Sequence, residues 1–147
     1  MPSSEFGDPR LVAVYDALNA YQPDTQPRFY RELAAELGAR RIVDLGCGTG
    51  MITRELASLG YDMIGLDPAA LMVFAGRARP FGERVRWVVG PAACLGSANA
   101  DLAIMTGHVA QFFLSDDDWL TALRAVHHAL HPCLLYTSDA ADDLTRV

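Results

Sequence analysis

Gly46, Gly48 and Gly50 alternate along Ile42-Val43-Asp44-Leu45-Gly46-Cys47-Gly48-Thr49-Gly50, directly after an apolar run and two residues beyond an aspartate. Positions without side chains let a ligand approach the backbone and let the chain turn tightly. A second aspartate, Asp67, ends the next apolar run, 21 positions after Gly46. A carboxylate placed there can accept both hydroxyls of a ribose. A tight turn alone would account for the glycines, and a helix cap alone for Asp67. Loop and acid together point to a bound nucleoside.

The loop's details bear on what that nucleoside carries. Dinucleotide sites read G-x-G-x-x-G and aim a helix N-terminus at a pyrophosphate. Here the pattern is G-x-G-x-G, with Met51 where the third glycine would stand. Asp44 would repel a pyrophosphate and would suit an ammonium or sulfonium. The Lys-Ser/Thr pair of a P-loop is absent from the sequence.

These residues need rigid elements behind them. Asp8 and Pro9 read as the cap and first residue of a helix whose apolar positions are Leu11, Val14, Tyr15 and Leu18. After a Pro-rich loop, Phe29, Leu33 and Leu37 mark a second helix that stops at Gly38. Short apolar runs then alternate with helices. RIVDL, DMIGLD, RVRWVV and ADLAIMTG read as strands; MITRELASLG, PAALMVFAGRAR and SDDDWLTALRAVHHALHP read as helices. Ser115 is placed to cap the last helix, with three acids in its first turn. This alternation predicts an α/β fold, a Rossmann-like doubly wound parallel sheet covered on both faces. Ligand-binding residues are then expected just after Leu45, Leu66, Val89 and Met105, where the strands end.

Composition agrees with one domain. The chain has 147 residues, half of them apolar, and a net charge of −6, which disfavours adhesion to nucleic acid or to an anionic membrane. No stretch reads as a transmembrane helix, and the N-terminus lacks the basic and apolar regions of a secretory signal. Cys47, Cys94 and Cys133 have no metal-like spacing and read as reduced thiols of a cytoplasmic protein. No metal site is expected.

The stretch VDLGCGTG, with GLD one strand later, closely resembles motifs I and II of the class I S-adenosylmethionine-dependent methyltransferases. The resemblance runs over residues 29–132 and includes the order of the elements. It implies S-adenosylmethionine as cofactor and a small-molecule methyl acceptor, with Asp44 and the loop of Gly46, Cys47, Gly48 and Gly50 against the methionine part. Asp67 would hold the ribose, Pro68 would border the adenine, and Ala92 would offer its backbone to the ring. Met105, ending the fourth strand, completes the cofactor set. Pro91 replaces the acid that the family commonly has beside Ala92. His108, after the fourth strand, could deprotonate an acceptor, and Tyr21, in the Pro-rich loop, is the lid candidate. Tyr15 and Tyr30 read as packing residues. Cys47 reads as a small filler, because nearby Asp44 would raise its thiol pKa. His127, His128 and His131 are expected in exposed or capping roles.

A complete family domain has seven strands, and four are legible here. The expected division is a lid-like helix and loop over 1–28, a truncated core over 29–132, and a non-native tail over 133–147. CLLYTSDAAD in that tail is similar to a translated transposase-type sequencing adapter. With four strands the last would be an exposed apolar edge, and the chain marginally stable. Two further functions fit parts of the pattern: a non-catalytic S-adenosylmethionine-binding module or inactive fragment, and a nicotinamide-dependent oxidoreductase, which Met51 and Asp44 disfavour.

Overall fold

The structure, a computed structural model, describes residues 7–18, 26–106 and 113–138. Two helices lead. In α1 (Pro9–Leu18) the Asp8 carboxylate accepts the Arg10 N–H at 2.9 Å, capping the first turn. In α2 (Gln26–Glu36) the end is closed by Gly38, whose φ of +61° suits a residue without Cβ. There Ala39 N–H donates to Ala34 O at 3.0 Å and Gly38 N–H to Ala35 O at 3.1 Å, which satisfies the last carbonyls.

The strands follow as β1 (Arg41–Leu45), β2 (Asp62–Asp67), β3 (Val85–Val89), β4 (Ala100–Met105) and β5 (Leu130–Ser138). Between them lie α3 (Met51–Ser58), α4 (Ala70–Arg77) and α5 (Asp116–Ala129). All pairings are parallel and the order is β3-β2-β1-β4-β5. The chain builds outward from β1 on one side and returns to its other side with β4. The order therefore reverses between β1 and β4, where doubly wound sheets open a crevice.

Side chains alternate between two cores. Ile42, Met63, Val85, Leu102 and Ile104 pack under α2 and α3 with Tyr30, Ala34 and Leu56. Val43, Leu45, Ile64, Leu66, Ala103 and Met105 pack under α5 with Ala122, Val126 and Ala129. Each fully buried Leu, Ile or Met contributes about 1.5–3 kcal/mol of transfer free energy. The opposite end of the sheet is pinned by Asp101, which accepts the Arg40 and Arg41 N–H groups at 2.8 and 2.9 Å. The Arg41 guanidinium pairs with Asp62 at 2.6 Å.

The sheet has five strands where four were expected. Residues 130–138 run parallel to β4, so β4 is an interior strand and the exposed apolar edge expected of it does not form. Two features account for this. Pro132 disfavours helix at the residue before it, so α5 stops at Ala129 rather than running through His131. The extended chain that results meets β4's open row of N–H and C=O groups. Its register is irregular: Ala100 opposes Leu130, yet Leu102 already opposes Leu135. The fourth helix also begins at Ala70 rather than Pro68, because the Asp67 carboxylate accepts the Ala69 N–H at 2.8 Å and holds the chain in a turn first.

Candidate functional site

Register brings the strand ends together. Leu45 opposes Leu66 and Asp67 opposes Val89, while Asp44 lies between Gly65 and Ile104. The glycine loop, Asp67, Gly90 and Thr106 therefore leave the sheet at one edge. Gly46 and Cys47 N–H both donate to Leu66 O, at 2.7 and 3.1 Å, so the loop is docked on the end of β2. Gly50 has φ +72° and opens α3 without a side-chain cap. That conformation costs an L-residue roughly 1–2 kcal/mol.

Asp44 is 1% exposed, and the Thr53 hydroxyl donates to its Oδ2 at 2.7 Å. Thr53, itself fully buried on the first turn of α3, fixes the direction of that carboxylate. Asp67 accepts two backbone donors, Gly48 N–H at 2.9 Å on Oδ2 and Ala69 N–H at 2.8 Å on Oδ1. Burial nonetheless lifts its pKa above the ordinary carboxylate value, those two bonds offsetting only part of the effect. Burial, then Asp44 and Asp67, push the Cys47 thiol well above its usual range, so it stays protonated and is a poor nucleophile. Cys47 acts as filler, its sulfur close over Gly65.

The remaining expected residues fall around this edge. Pro68 is exposed beside Asp67. Ala92 starts a short 3₁₀ turn, Ala92–Leu95, after β3, with its side chain buried under α5. The Met105 side chain is fully buried in the same core, so what it can offer a ligand is backbone. Tyr30 is buried in the core under α2, and Tyr15 packs with Val12 against Ala69 and Met72, as expected of packing residues. Through those contacts α1 lies on α4 beside the loop, and a Cβ on Gly48 would come within 3.2 Å of Met72 Cε. His108 and Tyr21 lie outside the described residues. His127, His128 and His131 are exposed, with His128 Nε2 3.1 Å from Ser97 Oγ. Among the described residues no cluster of His, Cys, Asp and Glu could hold a metal ion, and no helix is long and apolar enough to cross a membrane.

Two site residues escaped the sequence reading. Thr53 lies on the buried face of α3 with Leu56 and Ala57, a placement its helical spacing already implied. Trp87, on β3, lies against Gly50, Gly65 and Gly76 and donates from Nε1 to Gly82 O at 2.8 Å. Strand alternation put it on the α3 face, but nothing local indicated three glycines as its neighbours.

A parallel sheet with this strand order, a glycine loop after its first strand and an acid ending its second is that of a Rossmann-like α/β domain. More narrowly, this chain belongs to the methyltransferase domain family, whose model matches residues 42–133. It is 42% identical over 117 residues to a ubiquinone biosynthesis O-methyltransferase of Azorhizobium caulinodans, covering 62% of this chain and 46% of that one. It is 33% identical to the ubiquinone/menaquinone biosynthesis C-methyltransferase UbiE of Rubrivivax gelatinosus, over 88% of this chain and 54% of the relative. The chain thus spans about half the length of these two relatives. Among solved structures it is similar to the CcbJ methyltransferase of Streptomyces caelestis, at TM-score 0.75 and 26% identity, over 91% of this chain and 56% of that one. A TehB-like SAM-dependent methyltransferase of Corynebacterium glutamicum superposes at TM-score 0.73 and 25% identity, over 89% and 73%.

Proposed function

We propose that this chain carries the cofactor site of an S-adenosylmethionine-dependent methyltransferase acting on a small molecule. The observation that carries the reading is the pairing of two inward carboxylates, Asp44 and Asp67, with one glycine loop at the strand ends. The donor set fits the group. A carboxylate held by Thr53 beside the loop suits a cationic amino-acid portion, and Asp67 retains acceptor capacity for ribose hydroxyls beyond its two backbone donors. The printed name of the Corynebacterium glutamicum neighbour, a SAM-dependent methyltransferase, supports the same ligand.

When bound, the cofactor supplies a methyl group made electrophilic by its sulfonium. The protein's part is alignment. Asp44 and the loop would hold the methionine part of the ligand and Asp67 its ribose, Pro68 would border the adenine and Ala92 would offer its backbone to the ring. Orientation of this kind can supply much of a transfer reaction's rate without an obligatory acid or base. His108, three residues beyond Met105 in the chain, is the proposed base where an acceptor must lose a proton, and Tyr21 the proposed lid residue. A cytoplasmic location, where thiols stay reduced, fits the spacing of Cys47, Cys94 and Cys133.

Calorimetric titration of the full chain with S-adenosylhomocysteine and, separately, with NAD tests the reading. Saturable binding of S-adenosylhomocysteine and weaker binding of NAD are expected. Tighter binding of NAD would overturn it in favour of a nicotinamide site.

A further inference from the structure

We propose that Trp87 is the positioning residue of the glycine loop, holding Thr49 and Gly50 in the conformation that receives the cofactor; this rests on the proposed cofactor site. Register places Trp87 opposite Gly65, which in turn lies opposite Asp44, so the indole shares a row of the sheet with the buried acid. Gly65 leaves a slot there. A Cβ on it would come within 3.1–3.3 Å of Cys47 Sγ, the Thr53 methyl and the indole. On Gly50 a Cβ would overlap the ring's far edge, and on Gly76 it would lie 2.6 Å from that edge and 2.5 Å from Thr49 O. The ring is thus enclosed by the loop, by β2 and by the last turn of α4.

The indole is also tethered on its other side. Nε1 donates to Gly82 O at 2.8 Å, in the turn between α4 and β3. Arg54 makes a second tie between the same two segments. Its Nε donates to Thr49 O at 3.2 Å and its Nη1 to Pro80 O at 3.4 Å. Phe81, between Pro80 and Gly82, adopts φ +65°, a conformation uncommon for a residue with a side chain, and the Arg84 guanidinium lies 5.3 Å from its ring. Loop, indole and turn form one packed unit. A glycine passes between positive and negative φ almost freely. Gly50, at +72°, is walled in by the ring and Thr53, and a loop ordered before binding loses less freedom when ligand arrives.

The test uses the full chain with Trp87→Phe, Trp87→Leu and, as a control of general destabilisation on the opposite face, Trp119→Leu. Two quantities are read: affinity for S-adenosylhomocysteine, and hydrogen exchange of the Gly48 and Gly50 amides without ligand. Trp87→Leu is expected to weaken binding by about tenfold or more, equivalent to about 1.4 kcal/mol, and to speed exchange at both glycines. Trp87→Phe, which keeps a ring beside Gly65 but lacks the far edge that meets Gly50 and the Nε1 donor, should lose part of both the affinity and the protection from exchange. Trp119→Leu should lower the unfolding midpoint while leaving both near wild type. Equal effects of Trp87→Leu and Trp119→Leu would overturn the proposal, as would wild-type affinity and exchange in Trp87→Leu. If the wild-type chain fails to bind S-adenosylhomocysteine, the functional reading falls. The exchange comparison still decides the role of Trp87, and Trp87→Phe decides it if the leucine variant does not fold.

Discussion

The backbone N–H of Gly48 donates to the Asp67 carboxylate at 2.9 Å, so the acid proposed to hold the ribose is also the clasp of the glycine loop. Its other oxygen accepts from Ala69 and shapes the turn into α4. One side chain therefore links the end of β2, the loop after β1 and the start of the next helix. Loss of Asp67 would remove the proposed ribose contact and loosen the loop together.

The proposed ribose contact would make binding pH-dependent with a defined sign. Burial raises the Asp67 pKa above the ordinary carboxyl value of 3.8. Ribose hydroxyls donating to the carboxylate favour its ionised form, so ligand binding releases a proton wherever Asp67 is still protonated. Affinity for S-adenosylhomocysteine should rise with pH through that raised value and then level off. Titration calorimetry in buffers of different ionisation enthalpy checks both the slope and the proton released. Without ligand the sign reverses. The folded chain binds this proton more tightly than the unfolded one, so the contribution to stability is full below 3.8 and is lost as pH rises through the folded value.

Gly50 and Gly38 separate packing from backbone conformation. Both have positive φ, but a Cβ on Gly38 meets nothing within 4 Å, whereas one on Gly50 overlaps Trp87. Gly38→Ala should cost about 1–2 kcal/mol from conformation alone. Gly50→Ala adds overpacking of about 1–3 kcal/mol, and should also abolish binding of S-adenosylhomocysteine. Urea unfolding of the two variants measures the difference.

Thr53→Val keeps shape and removes the hydroxyl that donates to Asp44. The loss of a hydrogen bond to a buried charged group should destabilise the fold by about 1.5–3 kcal/mol. It should also weaken cofactor affinity, because the carboxylate loses its orienting donor. Thr53→Ser should restore most of that affinity, as read by calorimetry alongside the unfolding midpoint.

At the opposite end of the sheet, Asp101→Ala should lower stability and leave ligand affinity unchanged. Its carboxylate is held below the ordinary range, first by the Arg41 N–H and then by that of Arg40. That contribution is present above pH 3.8 and is lost as pH falls through the lower folded value. Unfolding curves of wild type and variant should therefore converge in acid.

Legibility from sequence varied with how local each feature is. Both β1 and β2 have the bounds read from RIVDL and DMIGLD, because each is an apolar run stopped by a turn-forming residue. The Ser115 cap, with its oxygen accepting Asp118 N–H at 3.1 Å, was legible for the same reason. β5 was not, because a short apolar run after His-Pro becomes a strand only through pairing with β4, a contact that local pattern does not encode. Asp44, Asp67 and the loop could be found by spacing alone. Trp87 could not, since its importance lies in three glycines that only folding brings to one ring.

The loop after β1, clasped by Asp67, is the proposed seat of S-adenosylmethionine. An amide-resolved NMR titration of the full chain with S-adenosylhomocysteine tests it most directly. Saturable shifts are predicted at Gly46, Gly48, Gly50 and Asp67, and their loss in Asp67→Ala. Saturation with no change at those amides, or the same shifts produced by NAD at lower concentration, would contradict it.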